Sequence, residues 1–137
     1  VPTKTPAVIG EIYPSLVSAV DDDSNELSGI QLPFITVPLA THAGWNIRHP
    51  ESGGAGQVIG TGGASGGTLK GSTIPFAATR EQRESSGDRR PSIEERYASK
   101  GQYLELVEQA ARKLAGQRYL LEEDLPRLAQ MASERYE

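Results

Sequence analysis

Two histidines, the only tryptophan and an arginine lie close together in the first half of the chain. The candidates for chemistry in this segment are His42, Trp45, Asn46, Arg48 and His49. Because arginine offers a planar fork to an anion and tryptophan a large apolar face, this combination is typical of a cleft wall. The alternative is that the same side chains anchor their loop to a scaffold, with each histidine hydrogen-bonded to backbone. We therefore treat these residues as cleft-lining or anchor candidates.

Ser65 lies in a stretch, Gly63 to Gly67, that has the letters G-x-S-x-G of the nucleophile elbow. The elbow needs an apolar strand that enters the turn and a helix that leaves it. Neither flank of Ser65 has such a pattern, and both histidines precede it, whereas the hydrolase order places the histidine last. The same tract is not a phosphate loop, since Lys70 precedes Gly71 instead of following it. The sequence predicts a loop here, without a nucleophile.

An acidic segment from Asp21 to Glu26 begins with the spacing of a calcium loop. The sixth position of that loop requires glycine and is Glu26, and the twelfth requires a carboxylate and is Leu32. Aspartate and asparagine side chains bond readily to nearby backbone, so the segment is interpreted as a hairpin turn. His42 and His49 have no carboxylate pair at ligand spacing, and we expect neither a metal nor a cofactor.

Composition excludes several function classes. With 14 basic against 18 acidic residues and a net charge of −4, the chain is not a polycation built for phosphate backbones. The absence of cysteine excludes disulfides and thiol nucleophiles. The strongest basic cluster comprises Arg80, Arg83, Arg89 and Arg90. Acidic residues are interleaved with these arginines and aromatic residues are not, which predicts a salt-bridged helix face rather than a nucleic-acid site.

No apolar run approaches the roughly 18–20 residues that a membrane-spanning helix needs. We expect a soluble protein with neither nucleic acid nor membrane as partner, and the compartment, cytoplasm or periplasm, stays open.

The chain divides into two unlike halves, residues 1–78 and 79–137. Ten of the 15 glycines lie between Gly44 and Gly71, and eight of the nine prolines lie at or before Pro91. The first half is therefore expected to be extended and rich in loops, a wrapping segment with a short β-hairpin. The hairpin strands are expected at Leu16 to Val20 and Ile30 to Leu32, and an edge strand at Phe34 to Val37 between two prolines.

The second half has the signals of helices. Capping boxes begin at Thr79, Ser92 and Ser99, and Gly87 predicts the end of the first helix. The last box begins a helix that ends at Gly116. Its apolar stripe is Tyr103, Val107, Ala110, Ala111 and Leu114.

An acidic triplet at residues 122–124 predicts the start of the final helix. Its apolar face is expected to be Leu121, Leu125, Leu128, Ala129 and Ala132. Two such helices with a short connection predict an antiparallel αα-hairpin.

The predicted fold class is α+β with high loop content. Because two helices bury only one seam and the glycine tract has little to bury, we expect the chain to pack against a neighbour.

A series of short motifs runs through nearly the whole chain, from Tyr13 to the end. The motifs are Tyr13-Pro14, Gly29-Ile30-x-Leu32-Pro33, Val37-Pro38-Leu39-Ala40-Thr41, Gly44-Trp45-Asn46-x-Arg48, Gly71-Ser72-x-Ile74-Pro75-Phe76, Thr79-Arg80-x-x-Arg83 and Gly87-Asp88-x-Arg90-Pro91-Ser92-x-Glu94-Glu95-Arg96-Tyr97. Together with the closing helix pair, their order resembles the C-terminal part of a bacterial family of alpha/beta-hydrolase-domain proteins. The resemblance implies a segment of a longer α/β-hydrolase fold, with the serine nucleophile upstream. It transfers no catalytic role to His42 or His49.

Two hypotheses of function follow. The first is a C-terminal segment of an esterase-like hydrolase, whose nucleophile lies outside this chain, whose partner is the remainder of the hydrolase domain and whose substrate is a small ester. The chain alone is then expected to be inactive. The alternative is a non-catalytic interaction module that presents an amphipathic helix pair to another protein.

Overall fold

The computed structural model describes residues 18–47, 51, 58–60 and 71–136. Its elements in chain order are α1 (Pro33–Thr36), β1 (Ala40–Ala43), β2 (Trp45–Ile47), β3 (Val58–Gly60), β4 (Ser72–Pro75), α2 (Arg80–Ser86), α3 (Ile93–Arg96), α4 (Lys100–Gly116), a 3₁₀ turn (Glu122–Asp124) and α5 (Leu125–Arg135). Helices and antiparallel strands are both present, in agreement with the predicted α+β class. Within the described residues, every helix is too short or too polar to cross a bilayer.

The acidic turn forms where the sequence predicts it, but its return strand does not. The Asp21 carboxylate accepts backbone N–H bonds from Asp23 (2.9 Å) and Asn25 (2.8 Å). An isolated bridge between Val20 and Glu26 then closes the turn. The prediction of a strand at Ile30 to Leu32 is wrong. The chain has already reversed its direction at Glu26, and Gly29, with a positive φ of 83°, then changes the direction of the backbone again.

The apolar run after Pro33 is a helical turn, α1, rather than the predicted edge strand. Proline suits the first turn of a helix because its fixed φ is helical and its missing N–H has no partner to lose there. The Val37 N–H donates to Pro33 O at 2.9 Å and closes the turn. Val37 is thereby buried.

Four short strands form two antiparallel pairs, β1 with β4 and β2 with β3. The strands β2 and β3 lie inside the glycine-rich tract, which therefore contains paired backbone where the sequence predicts only loop. Gly71 is required by a close approach, since a Cβ at this position would lie 2.0 Å from the Ala43 carbonyl oxygen.

The predicted helix caps are confirmed. The Thr79 hydroxyl accepts the Gln82 N–H, and the Ser99 hydroxyl accepts the Gln102 N–H, both at 3.2 Å. Gly87 ends α2 in the left-handed conformation, with φ of 70°.

At α3, the Glu95 carboxylate accepts the backbone N–H of Ser92 at 2.9 Å and its hydroxyl at 2.8 Å. These bonds hold the pKa of Glu95 well below its usual range, at about 2, and its ion pair with Arg83 contributes in the same direction. The local pattern at Ser92 thus suffices to specify the start of this short helix.

The helices α4 and α5 pack as the predicted antiparallel hairpin. Tyr103, near the start of α4, lies against Tyr136, just beyond the end of α5, with ring centroids 5.1 Å apart. Four residues of the predicted α4 stripe are buried: Tyr103, Val107, Ala111 and Leu114. On the second helix, Leu121 and Ala129 are exposed, contrary to prediction. Leu121 precedes the helix in an extended conformation, so it cannot share the face of Leu125 and Ala132.

The core joins the two halves of the chain. Its buried members are Val37, Tyr97, Tyr103, Val107 and Ala132. The Tyr97 hydroxyl donates to Pro38 O at 2.9 Å, and burial raises the pKa of Tyr97 to about 12. The fully buried Asn25 donates from its side chain to Ala40 O at 3.2 Å. Residues from before position 42 thus complete a core that the helices cannot form by themselves.

Candidate binding cleft at His42

The imidazole of His42 is positioned by strand pairing and by the acidic turn. His42 lies on β1 opposite Thr73 on β4. Its backbone N–H donates to the Asn25 side-chain oxygen at 2.7 Å, which fixes the strand against the turn. The Thr73 hydroxyl lies 3.3 Å from Nδ1 of the ring. The backbone of His42 is thus fixed by the turn and its ring by Thr73, and the tautomer of the ring decides which partner donates in the Thr73 contact.

His42 contributes to the wall of an open cleft of about 280 Å³. The cleft is lined by Phe34, Val37, Leu39, Ala40, His42, Thr73, Pro75, Tyr103 and Arg135. Apolar side chains make up most of the lining that the described residues form, and none of these lining residues is acidic. Three elements from distant parts of the chain meet here: α1, the β1–β4 pair and the end of the helix hairpin.

Arg135 supplies the positive charge of the cleft. Its guanidinium lies 4.0 Å from the centroid of the Phe34 ring. Among the described residues, no carboxylate forms an ion pair with Arg135, in contrast to Arg80, Arg83, Arg90, Arg96 and Arg112. A position over an aromatic face partly desolvates the guanidinium while its donors keep hydrogen-bonding capacity.

The charge state of His42 follows from its surroundings. Burial lowers the pKa of the imidazole below its ordinary value, and the positive charge of Arg135 lowers it further. At neutral pH the ring is thus neutral, with one donor and one acceptor nitrogen. A neutral imidazole can accept a proton or hydrogen-bond a ligand.

The side chain seen against the His42 ring is that of Thr73, which is neither the serine nor the carboxylate of a catalytic triad. The described part of the chain also contains no group of three histidine or acidic side chains that could hold a metal ion. The arrangement is that of a binding surface that carries an imidazole and a guanidinium.

The other candidates from the sequence are placed only in part. Trp45 and Asn46 lie on β2, where their Cα partners are Gly60 and Ile59, and their side chains are outside the described part. Arg48 and His49 lie outside the described residues, and so does Ser65, for which a loop without a nucleophile was predicted. The role of Trp45, Asn46, Arg48 and His49 as cleft-lining or anchor residues stays a prediction.

The basic cluster is a salt-bridged surface, but one member has a structural role that the sequence did not reveal. Arg80 pairs with Glu84 and Arg83 with Glu95, both at 2.8 Å, as predicted. Arg90 is instead largely buried.

Arg90 pairs with Asp88 at 2.6 Å, donates to the Thr41 hydroxyl at 2.8 Å and donates to Ile74 O at 3.0 Å. Its hydrogen bonds hold the pKa of Asp88 at about 2. Interleaved charge along the sequence gives no sign of these partners, because Thr41 and Ile74 are distant in the chain.

Phe34, Thr73 and Arg135 were likewise not singled out by the sequence. Each is unremarkable in its own segment, and only tertiary packing brings the three to one cleft. One signal for the place of Arg135 was available, the predicted αα-hairpin, because such a hairpin brings the end of α5 back to the start of α4.

Comparison with protein families gives one match. A family model described as an alpha/beta hydrolase domain matches residues 3–130. Searches of curated proteins and of solved structures found no match.

Proposed function

The chain belongs to the alpha/beta hydrolase domain family, and on that premise we propose that it is the C-terminal segment of an esterase-like hydrolase whose serine nucleophile lies outside these residues. The observation that supports this most directly is the path of the described strands. A nucleophile of this family is expected on a sharp strand-to-helix turn. None of the described strands enters a helix through a serine.

The expected partner is the remainder of the hydrolase domain. Several large apolar side chains are about half exposed or more: Val20, Leu27, Ile30, Leu32, Ile74, Tyr119 and Leu121. We propose that the catalytic core covers part of these side chains, since exposed apolar groups are the ones that an added surface can bury. We propose a small ester as the substrate.

The interaction-module hypothesis has less support. It requires two stripes to face a partner protein, Tyr103, Val107 and Leu114 on one helix and Leu125 and Leu128 on the other. The first three side chains are buried inside the chain itself, and the two leucines are partly buried, so the first stripe offers no free apolar seam. We do not propose that function.

The test is activity-based labelling of the full-length product of the gene. A fluorophosphonate probe labels an activated serine, and peptide mapping then locates the label. We expect the label on a serine outside these 137 residues, together with turnover of p-nitrophenyl acetate. Label on Ser65, lost in Ser65→Ala, would overturn the placement of the nucleophile. Absence of both label and turnover would overturn the esterase assignment.

A further inference from the structure

We propose that the cleft beside His42 is a binding site for a small monocarboxylic acid, with the carboxylate on Arg135 and the apolar part against the walls. The inference concerns binding alone and does not depend on where the nucleophile lies or on whether esters are hydrolysed. It follows from the sign of the charge in the cleft, the identity of the wall residues and the size of the space.

The charge of the cleft selects an anion. Among the described residues that line the cleft, Arg135 is the one formally charged side chain, His42 is held neutral, and none is acidic. A guanidinium without an ion-pair partner among the described residues keeps its fork of donors for a carboxylate. The position of an arginine at the C-terminal end of a helix is in some proteins explained by the helix dipole alone. Here the side chain lines the cleft, with its guanidinium 4.0 Å from the centroid of the Phe34 ring.

The apolar walls of the cleft favour a ligand that has an apolar part. Phe34, Val37, Leu39 and Pro75 are among the residues that line the cleft. Burying a hydrocarbon segment against them removes apolar area from water at roughly 25 cal/mol per Å². An inorganic anion would gain nothing from these walls, so the ligand is expected to be an organic acid.

The size of the cleft limits the ligand. Its volume of about 280 Å³ lies just under the ~300–1,000 Å³ that is usual for sites of drug-sized ligands. A short aliphatic or single-ring acid fits this limit, whereas a long-chain fatty acid exceeds it. The neutral His42 ring, with Thr73 beside Nδ1, offers a second hydrogen bond at the polar end.

The experiment is a titration of the ¹⁵N-labelled chain with hexanoate, followed by amide chemical shifts. Hexan-1-ol, which has the same chain without the charge, is titrated in parallel. The variants are Arg135→Gln, which removes the charge at nearly constant size, and Arg127→Gln, an exposed arginine of the same helix that does not line the cleft. Dispersed spectra establish first that both variants are folded.

We expect saturable shifts at Val37 and Thr73 with a dissociation constant on the order of 1 mM for hexanoate. Hexanol is expected to bind roughly fivefold to tenfold more weakly, as the loss of a charge-assisted hydrogen bond implies. Arg135→Gln should reduce hexanoate affinity to that of hexanol and leave hexanol binding unchanged, while Arg127→Gln should change neither. Equal affinity for hexanoate and hexanol, an equal loss in Arg127→Gln, or shifts that do not saturate would each overturn the proposal.

Discussion

Arg96 and Asp23 form a two-pronged ion pair that joins the end of α3 to the acidic turn. One of its two hydrogen bonds, from Arg96 Nη1 to Asp23 Oδ2, measures 2.7 Å. Each side chain is only 15% exposed. The guanidinium also lies 4.1 Å from the centroid of the Phe76 ring. The first half of the chain is therefore fastened to the helical half by a desolvated charge pair, in addition to its apolar contacts.

The first prediction concerns this pair. Arg96→Gln leaves the Asp23 carboxylate without its partner in a largely buried place, and we expect a loss of about 2–3 kcal/mol in the free energy of unfolding. The matched control is Arg112→Gln, because Arg112 pairs with Glu108 on the exposed face of α4 and such pairs are worth about 0.5 kcal/mol or less. Urea denaturation at pH 7 measures both. Equal losses in the two variants would show that the Asp23 pair is no more than a surface contact.

The second prediction concerns Gly71. A methyl group there would lie 2.0 Å from the Ala43 carbonyl oxygen, so Gly71→Ala must displace backbone where the β1–β4 pair begins. We expect a cost of about 1–3 kcal/mol, as for other overpacked sites. Gly44→Ala is the control, since nothing lies within 4 Å of a Cβ at Gly44. Thermal melts that show the same midpoint for both variants would contradict the close approach.

The third prediction separates the buried and exposed leucines of the helix hairpin. Leu114 is 7% exposed and Leu121 is 61% exposed. Leu114→Ala removes packed apolar volume and should cost about 2–5 kcal/mol, whereas Leu121→Ala should change stability by less than about 0.5 kcal/mol. Denaturant midpoints of the two variants provide the measurement. A large loss for Leu121→Ala would mean that this side chain is covered in solution.

Local signals were predictable from the sequence because their physics is local. The hydroxyls of Thr79 and Ser99 each satisfy an N–H three residues later, so the pattern alone specifies the helix start. The periodicity of α4 likewise specifies its buried face. The interpretation of the residues around His42 as cleft-lining or anchor candidates also had a local origin, in their unusual composition, and it stays a prediction.

What the sequence did not reveal depends on contacts between distant segments. The pairing of β1 with β4 and the reach of Arg90 to Thr41 join residues that share no local pattern. At Phe34, β propensity and flanking prolines favoured an edge strand, but Pro33 serves equally well as the first residue of a helical turn. The competing signals at Pro33 are of similar strength, and tertiary packing decides between them.

The last prediction concerns the titration of His42. Burial and Arg135 both lower its pKa from the ordinary value of 6.5, so the midpoint of its ring proton shift should lie below 6.5. Between the folded and unfolded pKa values the unfolded chain binds more protons than the folded one. Stability therefore rises with pH through that window, and it falls as the pH drops below about 6.5.

Arg135→Gln removes one of the two causes of the lowered pKa and should raise the titration midpoint of His42. Arg127→Gln should leave that midpoint unchanged. The imidazole proton signals are observed by NMR across the pH range, and His49→Gln assigns them, since the chain has two histidines. A midpoint at or above 6.5 would mean that the ring is solvated and does not lie on the cleft wall. A midpoint that stays unchanged in Arg135→Gln would place the guanidinium away from the imidazole, and the carboxylate site proposed between them would lose its charged end.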